Sequence, residues 1–284
     1  MANNVNLENF DNLKFRKEVW EQGIIEAYRE NALTEIITLK PSSVEGKCAV
    51  FHVANHGVGL KNYEGSVVAD EVVEPSRIEL FYDHKRYWAK AIDDVVKVQM
   101  AADLMLPEVN AIAYEIKKEL ETEVFKLAKA DAKNEVIGTS EEDLYDVIVN
   151  MGVKLDEENV PQEGRYVIVS PAMMAKLQKD TRVLEYHGAP IMANGISQIE
   201  VDGMTVVKSN NAEIGNNIIC IQRDAIALGV QIDKMESYRS QNSFADVVRG
   251  LIVYGLVTVR KENIVKGSII QDVENAGPTG PTGK

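Results

Sequence analysis

The sequence predicts an α+β fold, and three stretches carry that reading. Residues 107–131, "PEVNAIAYEIKKELETEVFKLAKAD", hold the clearest helical period in the chain. Residues 238–260, "YRSQNSFADVVRGLIVYGLVTVR", read as one strand, far longer than the mean of ~5–6 residues. Between them, from about residue 135 to 232, short helices and strands alternate in a block of their own.

In chain order, residues 1–40 form a polar, helix-prone arm in which Phe15, Val19, Trp20, Ile24 and Tyr28 are spaced for a single apolar face. Pro41 closes the arm. So few apolar residues cannot build a core, so the arm must lie on something else. "GKCAVFHV" (46–53) is of β type, and "ANHGVGLKNYEGSVVADEVVEP" after it is glycine-rich, charged and without helical period. A strand follows with Ile78, Leu80, Tyr82, His84, Arg86 and Trp88 on one face. Together these make a hairpin with an overlong tip. Loops beyond ~12–15 residues are uncommon in compact domains, and this one is expected to reach a neighbour.

The 107–131 helix opens on Pro107, suited to a first helical position. Val109, Ile112, Ile116, Leu120, Val124 and Leu127 make its apolar stripe. In the central block, "GTSEEDLYDVIVNM" offers a capping box, Ser140 to Asp143 or Thr139 to Glu142. "RYVIVSPAMMAKLQKD" reads as a strand and a short helix starting at Ser170-Pro171, "QIEVDGMTVVKSNN" as a hairpin turning at Asp202-Gly203, and "NIICIQRDAIALGVQI" as two short strands. The last stretch, "ENAGPTGPTGK", has two Gly-Pro-Thr triplets. That is too few for a triple helix, and residues 269–284 are expected to be a disordered tail.

The net charge of −13 argues against a sequence-independent grip on nucleic acid, which needs clustered Lys and Arg. Cys48 and Cys220 lie far apart in apolar runs, which fits buried thiols in a reducing compartment. The first twenty residues are neither a secretory nor a transit segment. No apolar run approaches the ~18 residues of a membrane span. A protein made in the cytosol and soluble is expected.

Catalytic and metal readings fail in turn. Cys48, His52 and His56 have the look of a metal series. Cys48 and His52 on one strand, however, sit ~13 Å apart at 3.3 Å per residue, too far for one tetrahedral zinc. The Gly-x-Gly of "HGVGL" is neither a phosphate loop nor a dinucleotide fingerprint. Ser170 lacks a nucleophile elbow, and His52, His56, His84 and His187 lie in no acid–base motif. Asp93-Asp94 and Glu141-Glu142-Asp143 fit helix starts better than general acids. The expectation is no enzyme, with no catalytic, cofactor-binding or metal residues and no cofactor.

"VIVSPAMMAKLQKD" (167–180), "GISQIEVDGMTVVKSNN" (195–211) and "ALGVQIDKMESYRSQNSFADVVRGLIVYGLVTVRKENIV" (227–265) resemble, in the same order, the major capsid protein family of tailed bacteriophages. That family has the Hong Kong 97 type capsid fold, shared with encapsulins. The resemblance implies an N-terminal arm at 1–45 and an extended loop at 46–92. It implies a peripheral domain at 93–134 and 233–268 with a long spine helix, and an axial domain at 135–232. It further implies self-assembly through pentamers and hexamers into an icosahedral shell around double-stranded genomic DNA, without sequence-specific binding and without a membrane. A separate scaffolding protein and a portal would be partners. The location would be the virion capsid, after synthesis in the host bacterial cytoplasm. Some members crosslink a loop lysine to an asparagine; Lys61 lies in the loop, but no asparagine or glutamate can be matched to it, and no crosslink is expected. An encapsulin-type nanocompartment shell and a soluble α+β enzyme are the rival readings.

Overall fold

The computed structural model describes residues 24, 33–41, 44–45, 48–53, 76–93, 105–138, 143–183, 192–193, 196–197, 199–241 and 243–269. In chain order the elements begin with a helical turn α1 (Thr34–Ile37) and strands β1 (Val44–Glu45), β2 (Cys48–Val53), β3 (Ser76–Phe81) and β4 (His84–Asp93). The long helix α2 (Met105–Asp131), β5 (Asn134–Gly138), α3 (Leu144–Glu157), β6 (Arg165–Val169) and α4 (Pro171–Gln178) follow. Next come β7 (Met192–Ala193), β8 (Ile196–Ser197), β9 (Glu200–Val201), β10 (Met204–Lys208) and β11 (Asn217–Gln222). The long strands β12 (Ile226–Arg239) and β13 (Ala245–Thr258), then β14 (Ile264–Ile269), complete the series. Two compact units divide the chain, residues 1–124 with 224–259 and residues 125–223 with 260–284. β14 pairs with β11 and β5.

The second unit is built on a six-stranded mixed sheet in the order β5-β14-β11-β6-β10-β9. Helix α3 turns Leu144, Val147, Ile148, Met151 and Leu155 to one side at spacings of three and four, and all five are buried. They join Val167, Val169, Met204, Val206, Ile218 and Cys220 in one core. The Ser170 hydroxyl accepts the Met173 N–H at 3.4 Å and Pro171 takes the first helical position, so α4 starts where the sequence predicts. Asp202 and Gly203 both have positive φ, 52° and 70°, which the tight β9–β10 hairpin demands. A buried cation, Arg165, ties the end of α3 to β6. Its Nη2 donates to Asp156 Oδ1 at 2.7 Å and to the Val160 carbonyl at 2.5 Å, and its Nε to the Pro161 carbonyl at 3.0 Å.

The first unit holds the elongated elements. β2 and β3 form the expected antiparallel hairpin, from Cys48↔Phe81 to Val53↔Ser76, and the tip between them lies outside the described residues. A second sheet has the order β12-β13-β4. β13 covers only the later part of the strand expected at 238–260: Tyr238 and Arg239 belong to β12 and pair back on Val247 and Asp246, so the β12–β13 turn falls inside that stretch. β12, expected as a short strand, matches β13 at fourteen residues because it pairs along nearly the whole of β13, with one irregularity between Ile232 and Lys234. The stripe of α2 is buried at Val109, Ile112, Leu120 and Val124.

Several local expectations are corrected. The strand read as continuous from 78 to 88 breaks at Tyr82–Asp83, because its halves pair into different sheets, β3 with β2 and β4 with β13. Its alternation survives the break except at Arg86: Ile78, Leu80, Tyr82, His84 and Trp88 are covered, Glu79, Phe81, Asp83, Lys85 and Tyr87 are exposed, and Arg86, expected on the covered face, is exposed where it reaches Glu119. Helix α3 starts at Leu144 with Asp143 as a cap residue that makes no capping bond, and Thr139, Ser140, Glu141 and Glu142 lie outside the described residues. Asp93 ends a strand rather than opening a helix. Cys48 is only half-buried, whereas Cys220 is fully buried.

Candidate assembly surface

The first unit has a groove of about 600 Å³ between strand β4 and helix α2. Its floor is apolar, with Trp88 from β4, Ile112, Ile116 and Leu120 from α2, and Ile252 from β13. β4 is an edge strand, so its outer backbone groups have no strand partner among the described residues. Tyr87 on it is 83% exposed, and Tyr114 on α2 is exposed as well.

Charged groups hold the walls in place. Arg86 Nε donates to Glu119 Oε1 at 2.7 Å, and the Tyr254 hydroxyl donates to the same oxygen at 3.3 Å. Burial, followed by the negative charge of Glu119, pushes the Tyr254 phenol up to about 12. It therefore stays a donor throughout the physiological range. His84 stacks on the Tyr254 ring, 5.0 Å between centroids and 12° between planes, and Lys90 pairs with Glu108 at 2.9 Å. The rim thus sets ion pairs, with Glu115 beside them, around an apolar floor that can bury surface against another molecule.

Two glycines make the long strands into a seat. Trp88 stands opposite Gly250 in the β4–β13 register, and its indole lies where a Cβ on Gly250 would be. At Gly255 the Phe81 carbonyl approaches so closely that any side chain would strike backbone. The two glycines that interrupt the apolar run of β13 are therefore points of close approach. At the far end, Phe244 beside the β12–β13 turn is 81% exposed, and Arg249 lies over the Tyr238 ring at 5.0 Å while pairing with Glu236.

The residues weighed for chemistry are not brought together. Cys48 and His52 are four positions apart on β2; His56, Lys61, Asp94 and His187 lie outside the described residues. Ser170 is spent on its cap, and Asp143 pairs with Arg182 at 3.0 Å. Among the described residues no three His, Cys, Asp or Glu gather at metal-binding distance, and no helix is long and apolar enough to cross a membrane. Sequence reading missed the Arg86–Glu119–Tyr254 cluster, which joins three elements far apart in the chain. It also missed the buried carboxylate Glu121, whose one signal is its place beside Leu120 on the apolar stripe of α2.

No protein-family model and no curated protein matches the chain. Solved structures do. A chain of the Mycobacterium phage Che8 structure superposes with a TM-score of 0.60 at 23% identity, over 78% of this chain and 85% of that one. The capsid of cyanophage P-SCSP1u gives 0.64 at 17% identity, over 84% and 88%. The virus-like particle from Pyrococcus furiosus gives 0.60 at 14% identity, over 88% and 98%. The chain therefore carries the fold of tailed-phage major capsid proteins, the Hong Kong 97 type, which the sequence resemblance implied.

Proposed function

We propose that this chain is a major capsid protein, which assembles through pentamers and hexamers into an icosahedral shell enclosing phage double-stranded DNA. The likeness in fold to phage capsid chains, extending over most of both chains, carries the reading. The first unit supports it, because its edge strand, apolar groove and exposed aromatics are surfaces that one copy leaves unfilled.

On this reading residues 1–45 are the arm, 46–92 the loop that lies across an adjacent subunit, 93–134 with 233–268 the peripheral domain with α2 as its spine, and 135–232 the axial domain. Apolar burial between copies supplies most of the association energy and charge pairs set register. The net charge of −13 suits a wall that holds DNA without gripping it. The role is structural rather than catalytic, the location is the virion capsid, synthesis is in the host bacterial cytoplasm, and a scaffolding protein and portal are the further partners. Negative-stain electron microscopy with light scattering tests this. Closed shells, tubes or capsomer rings are expected; a small species that stays monodisperse at high concentration and with scaffolding protein supplied would count against it.

The Pyrococcus particle, matched over nearly its whole chain, favours a second reading, an encapsulin-type compartment. Shells that enclose a protein cargo when expressed beside its gene, and that need neither scaffold nor portal to close, would favour that reading.

A further inference from the structure

We propose that Glu121 is a latch that holds the strap of residues 33–39 onto helix α2. Three observations carry it. The strap lies within the first unit with Leu33, Thr34, Ile37 and Thr38 all buried, so it covers part of that unit's core. Its far end is fixed by backbone and packing: the Leu39 N–H donates to the Ile226 carbonyl at 2.8 Å, the Leu39 carbonyl accepts the Leu228 N–H at 3.1 Å, a single parallel bridge to β12, and Leu39 packs against the Ala49, Phe51, Leu80 and Ala227 cluster. Its near end is fixed by a side chain. The Leu33 N–H, which opens the α1 turn, donates to the Glu121 carboxylate, and α1 has no side-chain cap of its own.

A carboxylate is an unusual choice for this position. Glu121 is only 8% exposed, and burial raises its pKa more than Lys117, 3.8 Å away, and the Leu33 N–H lower it. An apolar residue would pack there at less cost but could accept no hydrogen bond from the strap. The carboxylate thus ties Leu33 to α2, beside the packing of the strap's buried side chains and the Leu39 bridge. Such a segment opens locally, well below the free energy of global unfolding. Opening would uncover Leu33 and Ile37. The inference stands apart from the assembly role and does not depend on it.

Hydrogen exchange by mass spectrometry on the intact chain tests the latch, comparing wild type with Glu121→Gln, Glu121→Asp and Glu121→Ala. Gln keeps an acceptor in place, so exchange across 33–39 is expected to stay within about twofold of wild type. Asp keeps the charge but is one methylene short, and Ala removes the acceptor. Both are expected to speed exchange of the strap at least tenfold while leaving α3 unchanged. Unchanged strap exchange in Ala and Asp overturns the latch. So does equal loosening of strap and α3, which would make Glu121 a global prop; the milder Asp variant decides if Ala fails to fold. Loosening by Gln as great as by Ala overturns the acceptor role.

Discussion

The two units bury their sheets to different depths. In the second, one face of α3 and one side of the central strands meet in a continuous core, and the strands β6 and β11 are buried along most of their length. In the first, the described residues of β4 are exposed or half-buried, and the far half of β12 is largely exposed. The buried cluster under the β2–β3 hairpin is small, built on Ala49, Phe51, Leu80 and Ala227. A sheet of long strands costs conformational entropy over its whole length, and here one copy recovers only part of it by burial. The second unit is organised as a domain that stands on its own core, the first as a frame with surface left over for another molecule.

The largest effect expected from a single change falls in the self-sufficient core. Met151 is fully buried on α3, with its sulfur against Gly267 of β14. Met151→Ala removes that packing and leaves a cavity, at a cost of about 3 kcal/mol. Equilibrium urea unfolding followed by circular dichroism measures it. A loss under about 1 kcal/mol would show that this core relaxes freely and would blunt the contrast between the units.

Next in size is a change that adds atoms to the open frame. Gly255→Ala sets a methyl group against the Phe81 carbonyl, with the Leu80 side chain close behind. Because the carbonyl is backbone, the β2–β3 hairpin must shift on β13, at about 2 kcal/mol. The same urea experiment, read with exchange at 76–81 and 251–258, should show loosening confined to the first unit. Loosening that reached α3 equally would mean the two units unfold as one.

A smaller effect concerns charge. Arg182 donates to Asp180, Asp146 and Asp143 and lies 4.4 Å above the Tyr145 ring. The guanidinium, chiefly by its hydrogen bonds, holds the Asp180 carboxyl below its ordinary 3.8. A depressed carboxyl stabilises the fold above its unfolded pKa, and that stability is lost as pH falls through the folded value. Arg182→Ala should therefore lower the Tm at pH 7, and the gap from wild type should close as pH falls below about 3.8. A gap that stayed constant across that window would assign the effect of Arg182 to packing on Tyr145 instead.

What the sequence made legible was local or periodic. The stripe of α2, the Ser170-Pro171 start, the Asp202-Gly203 turn and the β2–β3 pairing each rest on neighbouring residues or a regular spacing. β12 was underestimated because its Gly229, Asp233 and Lys234 interrupt the apolar run, and its length comes from pairing with β13 rather than from its own composition. The break at Tyr82–Asp83 was hidden because alternation of side chains runs straight through it, while hydrogen-bond partners change. The groove was beyond reach for the same reason: Trp88, Ile112 and Ile252 meet only in three dimensions. Cys220 was legible as buried, and burial pushes its thiol up to about 12.

The smallest effect on stability should accompany the sharpest test of the frame. Tyr87 stands on the edge strand at 83% exposure, so nothing in one copy depends on its ring. Tyr87→Ser should change the unfolding free energy by no more than about 0.5 kcal/mol. If the first unit's surface is covered in an assembly, the same change removes an aromatic contact at an interface, where such residues carry a large share of the binding energy. Light scattering should then show slower assembly, or a higher threshold concentration, from a chain whose urea midpoint has not moved. An unchanged midpoint with unchanged assembly would take β4 out of the interface and leave Phe244 at the β12–β13 turn as the next surface to remove. A shifted midpoint would mean that Tyr87 is packed within its own copy, and the exposed frame would be smaller than the structure draws it.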